Sequence, residues 1–473
     1  MDVFESGTQF DFSYAPGTSQ EQILGFEMAG EIWSQYLADN VTVNIHVETT
    51  DQLPENVIGG ALPGTKKGVK YDKLWKEMSK DITTWDDLTA FNNLADENEI
   101  LALVSEKHGK VKDMKLTNAN SKALDIIDGD KDKLDGYILM SDLSGQDDVA
   151  WDYDPLRGDG IADNELDFLS VALHEVGHVL GFTSGLDDGE WLNVVTEARD
   201  QGKELKDDAM KFATPLDLFR YSGNGQLNLS IGQDSYFSID GGRTNLANFS
   251  TGEYSEMGGD GFQASHWQHR DEAVAGIMDP VLKLGVRREV SALDTLAMDV
   301  IGWNVSNPRQ LDWQDIYANA VDNAADALVA DRTKDVEKMI KQSETYQGRR
   351  SRSSRGGSGG SWQVGFWQNI KFQTLDVKVE TALPEADITN FIIDIDNHIV
   401  NHSNFQSDKE SVFNSSENRV DVELEVEATP VQLIEVNESD AESVAFEFAT
   451  LDLDELGRLI SARFEDSNLA DKL

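Results

Sequence analysis

The sequence predicts an α+β fold, a mixed twisted sheet with helices packed on it and one wholly buried helix at its centre. Three observations carry that expectation. Residues 8–14 and 41–47 alternate with the two-residue period of a strand. Residues 19–38 repeat their apolar side chains with the period of a helix, and residues 166–182, LDFLSVALHEVGHVLGF, are apolar nearly all the way round. Strand, helix, strand and then a buried helix is the order of a sheet covered by helices.

The elements follow in turn. Phe10, Phe12 and Tyr14 fall on one side of the first strand, and Thr18-Ser-Gln-Glu21 reads as a capping box opening the helix over 19–38. Val41, Val43, Ile45 and Val47 form a half-buried strand, with His46 expected on its solvated side. Residues 54–70 are rich in Pro and Gly and read as a loop. Helices are expected near 71–82 and 85–96, and strands at 100–104, 110–116 and 136–142. Asp240-Gly-Gly242 between two alternating runs signals a hairpin, and 290–303 reads as a closing amphipathic helix. The expected organisation is a main domain over 1–307, a helical segment over 308–347 and an Arg/Ser/Gly-rich linker over 348–361. A C-terminal extension of mixed α/β character follows over 362–473, and it carries no assignable motif.

Composition narrows the partners. Forty Lys and Arg stand against 87 Asp and Glu, a formal net charge of −47. Such a surface repels nucleic acid and anionic membrane, which leaves a protein or peptide as the expected macromolecular partner. The absence of cysteine excludes disulfides, thiolate ligands and cysteine nucleophiles. No apolar run reaches the roughly 18–20 residues of a membrane span. No N-terminal secretory signal is visible, so the expectation is an extracellular protein exported by another route, with the cytoplasm as the alternative. The Asp- and Gly-rich loop 144–165 could bind structural Ca2+, although no spacing in it is specific. Asp128-Gly-Asp130-Lys-Asp132 lacks the glycine of an EF-hand at its sixth position and reads as a turn.

The chemistry lies in the buried helix. His174, Glu175 and His178 follow H-E-x-x-H, so the imidazoles project one turn apart from one face, as a shared metal ion requires. Glu175 is placed to act as general base on a water held by that metal. Composition alone would give this pattern in about one such chain in a hundred. His398 and His402 share the spacing, but on a strand they would stand about 13 Å apart and cannot share an ion.

A catalytic zinc takes three protein ligands, and the local motif supplies two. Gly181 is expected to end the helix and turn the chain sharply. Three residues beyond it stands Ser184, a poor ligand. The other histidines of the first two-thirds are His46, His108, His266 and His269, and only the last two lie near another distinctive segment, Gly276-Ile-Met278-Asp-Pro280. Glu197, nineteen residues past His178, is a further candidate.

HEVGHVLGF, a displaced histidine in Ser265-His-Trp267 and a Met-containing turn together resemble leishmanolysin-type metzincins, and most of all a bacterial branch of them. The resemblance covers roughly residues 1–305. It implies a zincin-like catalytic domain and a zinc metalloendopeptidase. It also implies His174, His178 and His266 as zinc ligands, Glu175 as base and Met278 as the Met-turn residue below the metal. Leishmanolysins are rich in disulfides and carry a cysteine in their propeptide; this chain has no cysteine, so latency and localisation do not carry over. The alternative function is a metal-stabilised surface or adhesion module without catalysis.

Overall fold

A seven-stranded sheet organises the chain in the computed structural model. The structure describes residues 7–339 apart from short stretches, the longest being 203–212, together with the backbone of 445–450. By contacts the chain divides into two units, Met1–Val379 with Ala445–Leu473, and Glu380–Val444; every described residue belongs to the first. Glu197, the Asp128–Asp132 run, the linker 348–361 and the His398/His402 pair lie outside the described residues, as does the C-terminal extension apart from 445–450.

The sheet strands are β1 (Gln9–Tyr14), β2 (Thr42–Thr50), β3 (Val57–Pro63), β4 (Gly136–Ser141), β5 (Val281–Lys283), β6 (Leu328–Val329) and β7 (Ala445–Thr450). Across the sheet they run β5-β7-β3-β4-β2-β1-β6. β6, β1, β2 and β4 are mutually parallel, while β3 is antiparallel to β4. The sheet is therefore mixed and the fold α+β, as the alternating periods predict.

Helix α1 (Gln20–Tyr36) follows β1. Its capping box is Ser19 with Gln22, one residue later than expected: the Ser19 hydroxyl accepts from the Gln22 amide, and the Gln22 side chain accepts from the Ser19 amide. Helices α2 (Tyr71–Asp81), α3 (Trp85–Asn93) and α4 (Asn118–Ala123) come before the buried helix α5 (Phe168–Leu180). Helix α1 packs closely on α5: a Cβ at Gly25 would stand 2.5 Å from the Phe168 ring. Trp33 Nε1 donates to Leu173 O at 3.0 Å.

Two expectations fail within the sheet. His46 is 2 % exposed, with Nδ1 3.0 Å from Ser13 Oγ and its ring stacked on Tyr137. β2 is an interior strand between two parallel neighbours, and such strands are covered on both faces, so alternation does not mark a wet side. Burial lowers the His46 pKa to about 4. Residues 54–70 are likewise not a loop: they hold β3 and a further strand, Thr65–Lys70, which pairs with Asp113–Thr117.

The chain closes through helix α6 (Ala292–Val300), within the expected 290–303. Helix α7 (Trp313–Ala325) then lies on α1, where Asn319 and Asn323 donate to Glu31. After it β6 pairs in parallel with β1, so Leu328–Val329, within the expected helical segment, belong to the main sheet. The hairpin at Asp240 forms between Ser235–Phe237 and Ala247–Phe249, and Arg220–Tyr221 adds a third strand. Among the described residues no helix is long and apolar enough to cross a membrane.

Candidate metal centre

Helix α5 is anchored at both ends. Asp167 caps its N-terminus by accepting from the Ser170 amide at 2.9 Å and from the Ser170 hydroxyl. At the other end Gly181 takes φ 133°, a conformation side chains rarely adopt, and its amide reaches Gly177 O and His178 O. A Cβ there would also press on Ile301 Cδ1 at 3.0 Å. Trp303 Nε1 donates to Leu180 O at 3.0 Å, so the last turn is satisfied by side chain as well as backbone.

The chain leaving Gly181 builds the rest of the centre. Phe182 O accepts from His178 Nδ1 at 2.7 Å. Ser184 is not near a ligand role: its hydroxyl donates to Asp217 Oδ1 at 2.6 Å. Asp187 accepts from the amides of Ala264 and Ser265 at 2.8 and 2.9 Å, immediately before His266. Burial raises the Asp187 carboxyl to about 6, opposed by these bonds and by Arg220. Arg220 is buried and donates to Ala264 O at 3.0 Å and to Ser250 O. The loop that carries His266 is thus gripped from both sides by buried charges, each hydrogen-bonded to backbone.

Beyond His266 the grip continues. Trp267 is fully buried against Phe182, Phe237 and Phe249. Its Nε1 donates to Asp294 Oδ1 at 2.8 Å, and its amide donates to Met278 O at 3.0 Å. Asp294 also accepts from the amides of Ile277 and Ser291 at 2.8 and 2.7 Å. One carboxylate on α6 therefore ties the His266 loop to the Met278 segment. Met278 is fully buried with its sulfur beneath the helix: a Cβ at Gly177, between the two helical histidines, would stand 2.5 Å from Met278 Sδ.

These anchors bring three imidazoles together. The Nε2 atoms of His174, His178 and His266 lie 3.0, 3.2 and 3.2 Å apart. Two nitrogens on one tetrahedral zinc, each about 2.0–2.1 Å from it, would stand about 3.3 Å apart. All three residues are 0 % exposed. Each outer nitrogen faces a carbonyl: His174 Nδ1 donates to Ile277 O at 2.7 Å, His178 Nδ1 to Phe182 O, and His266 Nδ1 to Gln263 O at 3.2 Å. A carbonyl only accepts, so the proton of each neutral ring sits on Nδ1 and a lone pair on Nε2. Burial holds the rings neutral: it lowers His178 to about 4 and takes His174 and His266 well below the usual imidazole range. Three lone pairs then converge with no proton among them. That is a repulsive arrangement for core histidines, and it fits a cation. Among the described residues this is the one group of three or more possible ligands whose donor atoms converge in this way.

Glu175 follows His174 on the same helix and is fully buried, and neither of its carboxylate oxygens has a hydrogen-bond partner. Burial pushes its carboxyl well above the usual range. Strand β3 passes directly beside it: a Cβ at Gly59 would stand 2.9 Å from both Glu175 Oε1 and Val171 Cγ1.

The other candidates lie elsewhere. His269 Nδ1 is 2.8 Å from Asp279 Oδ1. His46 is held by Ser13, and His108 lies in the strand Lys107–Val111. In the acidic loop 144–165, Asp152 and Asp154 meet Arg287 at 2.6 and 3.5 Å, so a cation of the protein already faces them. Asp187, Arg220, Asp294 and Gly59 were not legible as site residues. Only Asp294 carried a usable signal, Ser291-x-x-Asp294, which proves to be a capping box whose acidic member also anchors the site. Comparison with family models, curated proteins and solved structures gave no match for this chain.

Proposed function

We propose that this chain is a zinc-dependent endopeptidase. The observation that carries the reading is the convergence of three neutral, buried Nε2 atoms beside a buried carboxylate with no partner of its own. His174, His178 and His266 would hold the ion, and their carbonyl partners fix the tautomer that ligation needs. When bound, zinc supplies a Lewis acid that polarises a carbonyl and makes water acidic enough to lose its proton near neutral pH.

The chain supplies the proton transfers. Glu175 accepts a proton from the attacking water at a carboxylate oxygen, then returns it to the departing amine. Met278 and Gly177 pack sulfur to helix and keep the two helical imidazoles at a fixed height over the 277–280 turn.

The test is metal analysis combined with hydrolysis of casein and a quenched peptide library. Purified protein is expected to hold about one zinc per chain and to lose activity on chelation, with recovery on zinc addition. Glu175→Ala should keep the zinc and lose about 10²–10⁴-fold in kcat/KM. Protein that neither carries nor takes up zinc overturns the reading. Zinc retained with no hydrolysis by wild type favours a metal-stabilised binding module instead.

A further inference from the structure

Strand β7 occupies an unusual place. It comes from residues 445–450, more than a hundred residues beyond β6 in sequence, yet it lies between β5 and β3 in the main sheet. It pairs antiparallel with β5, Leu282 opposite Phe446, and parallel with β3, Phe448 opposite Gly59 and Ala449 opposite Gly60. β5 begins three residues after Met278, and Gly59 is the β3 residue against Glu175. The distal strand therefore bridges the two segments that flank the candidate metal centre. Its backbone is hydrogen-bonded along the strand that touches the candidate base.

A sheet edge is a docking surface for extended peptide, because its backbone donors and acceptors pair with any strand laid along it. A peptide bond presented to Glu175 from the side of β3 would belong to a chain lying where β7 now lies. Resting on the endopeptidase reading, we propose that residues 445–450 are the resident occupant of a strand-addition site for substrate. An extended peptide must displace this segment to reach Glu175, and the chain restrains its own activity in cis.

Gly59 and Gly60 fit this role. Bare backbone at Gly59 lets the strand pass close to α5, and the two glycines together offer a paired segment a ladder with little side-chain bulk.

The test locks and releases the strand in the full chain. Ala61 and Thr450 are register partners, and the protein has no cysteine of its own, so Ala61→Cys with Thr450→Cys allows one disulfide. Hydrolysis of β-casein should be at least tenfold slower in the oxidised protein than in the reduced one, with equal zinc content. A second full-length variant, Phe448→Pro with Ala449→Pro, disrupts the ladder where β7 pairs with Gly59 and Gly60 of β3. It should hydrolyse casein about tenfold faster than wild type, chiefly through a lower KM, and be inhibited by a synthetic peptide of residues 443–452. Binding is read separately in a Glu175→Gln background, by fluorescence anisotropy of that labelled peptide, which should bind the proline variant and the reduced pair but not the oxidised pair.

Equal casein rates in the oxidised and reduced forms, with the crosslink verified by mass, overturn the proposal, as does a folded proline variant that neither binds peptide nor gains activity. Should no form hydrolyse casein while peptide binding still follows the lock, the endopeptidase reading fails and the strand-addition site stands. Should wild type hydrolyse casein while the lock changes nothing, only the strand-addition site fails.

Discussion

Helix α5 meets the candidate metal centre with side chains, whereas strand β3 meets the same carboxylate with bare backbone. The helix places two imidazoles and Glu175 on one face and buries all thirteen of its residues. The strand brings Gly59 to within van der Waals distance of Glu175 and contributes no functional group of its own. The proposed endopeptidase would use both: one element to carry the chemistry, and another that stands aside closely enough for a peptide to be brought alongside. Losing a side chain from the first and adding one to the second should therefore harm activity in different ways.

The largest effect is expected from removing a ligand. His266→Ala should take the zinc content from about one per chain to near none and abolish hydrolysis, while His269→Ala should keep the metal. The reverse result would move the third ligand and break the account of the loop held by Asp187, Arg220 and Asp294. Next is the strand. Gly59→Val forces a branched side chain into a space where even a Cβ stands 2.9 Å from Glu175 Oε1. Zinc should stay at one equivalent, and kcat/KM should fall about 10–100-fold through misplacement of the base. A Gly59→Val protein with wild-type kinetics would show that the strand does not govern the base.

A smaller change separates stability from chemistry within the helix. Gly177→Ala improves helix propensity by about 1 kcal/mol, but it overpacks against Met278 Sδ, a fault that costs about 1–3 kcal/mol. A net loss of about 1 kcal/mol is expected in the denaturant midpoint, with zinc still bound.

The smallest effect lies away from both elements. Burial and the neighbouring Asp39, Asp87 and Asp299 raise Asp81 from its ordinary 3.8 to about 7. A raised carboxyl binds its proton more tightly folded than unfolded, so its contribution to stability is complete below about pH 4 and is lost as pH rises through about 7. Asp81→Asn should flatten that fall and raise Tm by roughly 2–4 °C at pH 8, for about 1 kcal/mol. Activity at pH 7 should not move; a change would show that Asp81 is coupled to the centre through Asp299 and Asp294 of α6.

The same contrast explains what could be read in advance. His174, Glu175 and His178 were legible because the helical period and the metal spacing coincide, so composition and geometry say one thing. Gly181 was legible because a glycine just past the last apolar turn is a common helix stop, and here it takes φ 133°. β3 was misread as loop because Gly59 and Gly60 signal loop by propensity, whereas Gly59 is required there by the approach of α5. His46 was misread because alternation suggests one wet face, which an interior parallel strand does not have. Asp187, Arg220 and Asp294 act on backbone amides and carbonyls distant in sequence, and no local pattern marks such partners. β7 could not be placed at all, since nothing in Ala445-Phe-Glu-Phe-Ala-Thr450 tells which edge it joins.

The position of β7 also sets an order of events in synthesis. β3 and β5 are adjacent only through a strand that the ribosome makes 167 residues after β5 ends at Lys283. At about 5–20 residues per second, the nascent chain spends on the order of 10–30 s with the sheet split and both edges bare. During that interval the imidazoles and Glu175 already exist on a chain whose final strand has not emerged. The newborn molecule passes through a stage in which a bare strand edge, that of β3, adjoins Glu175.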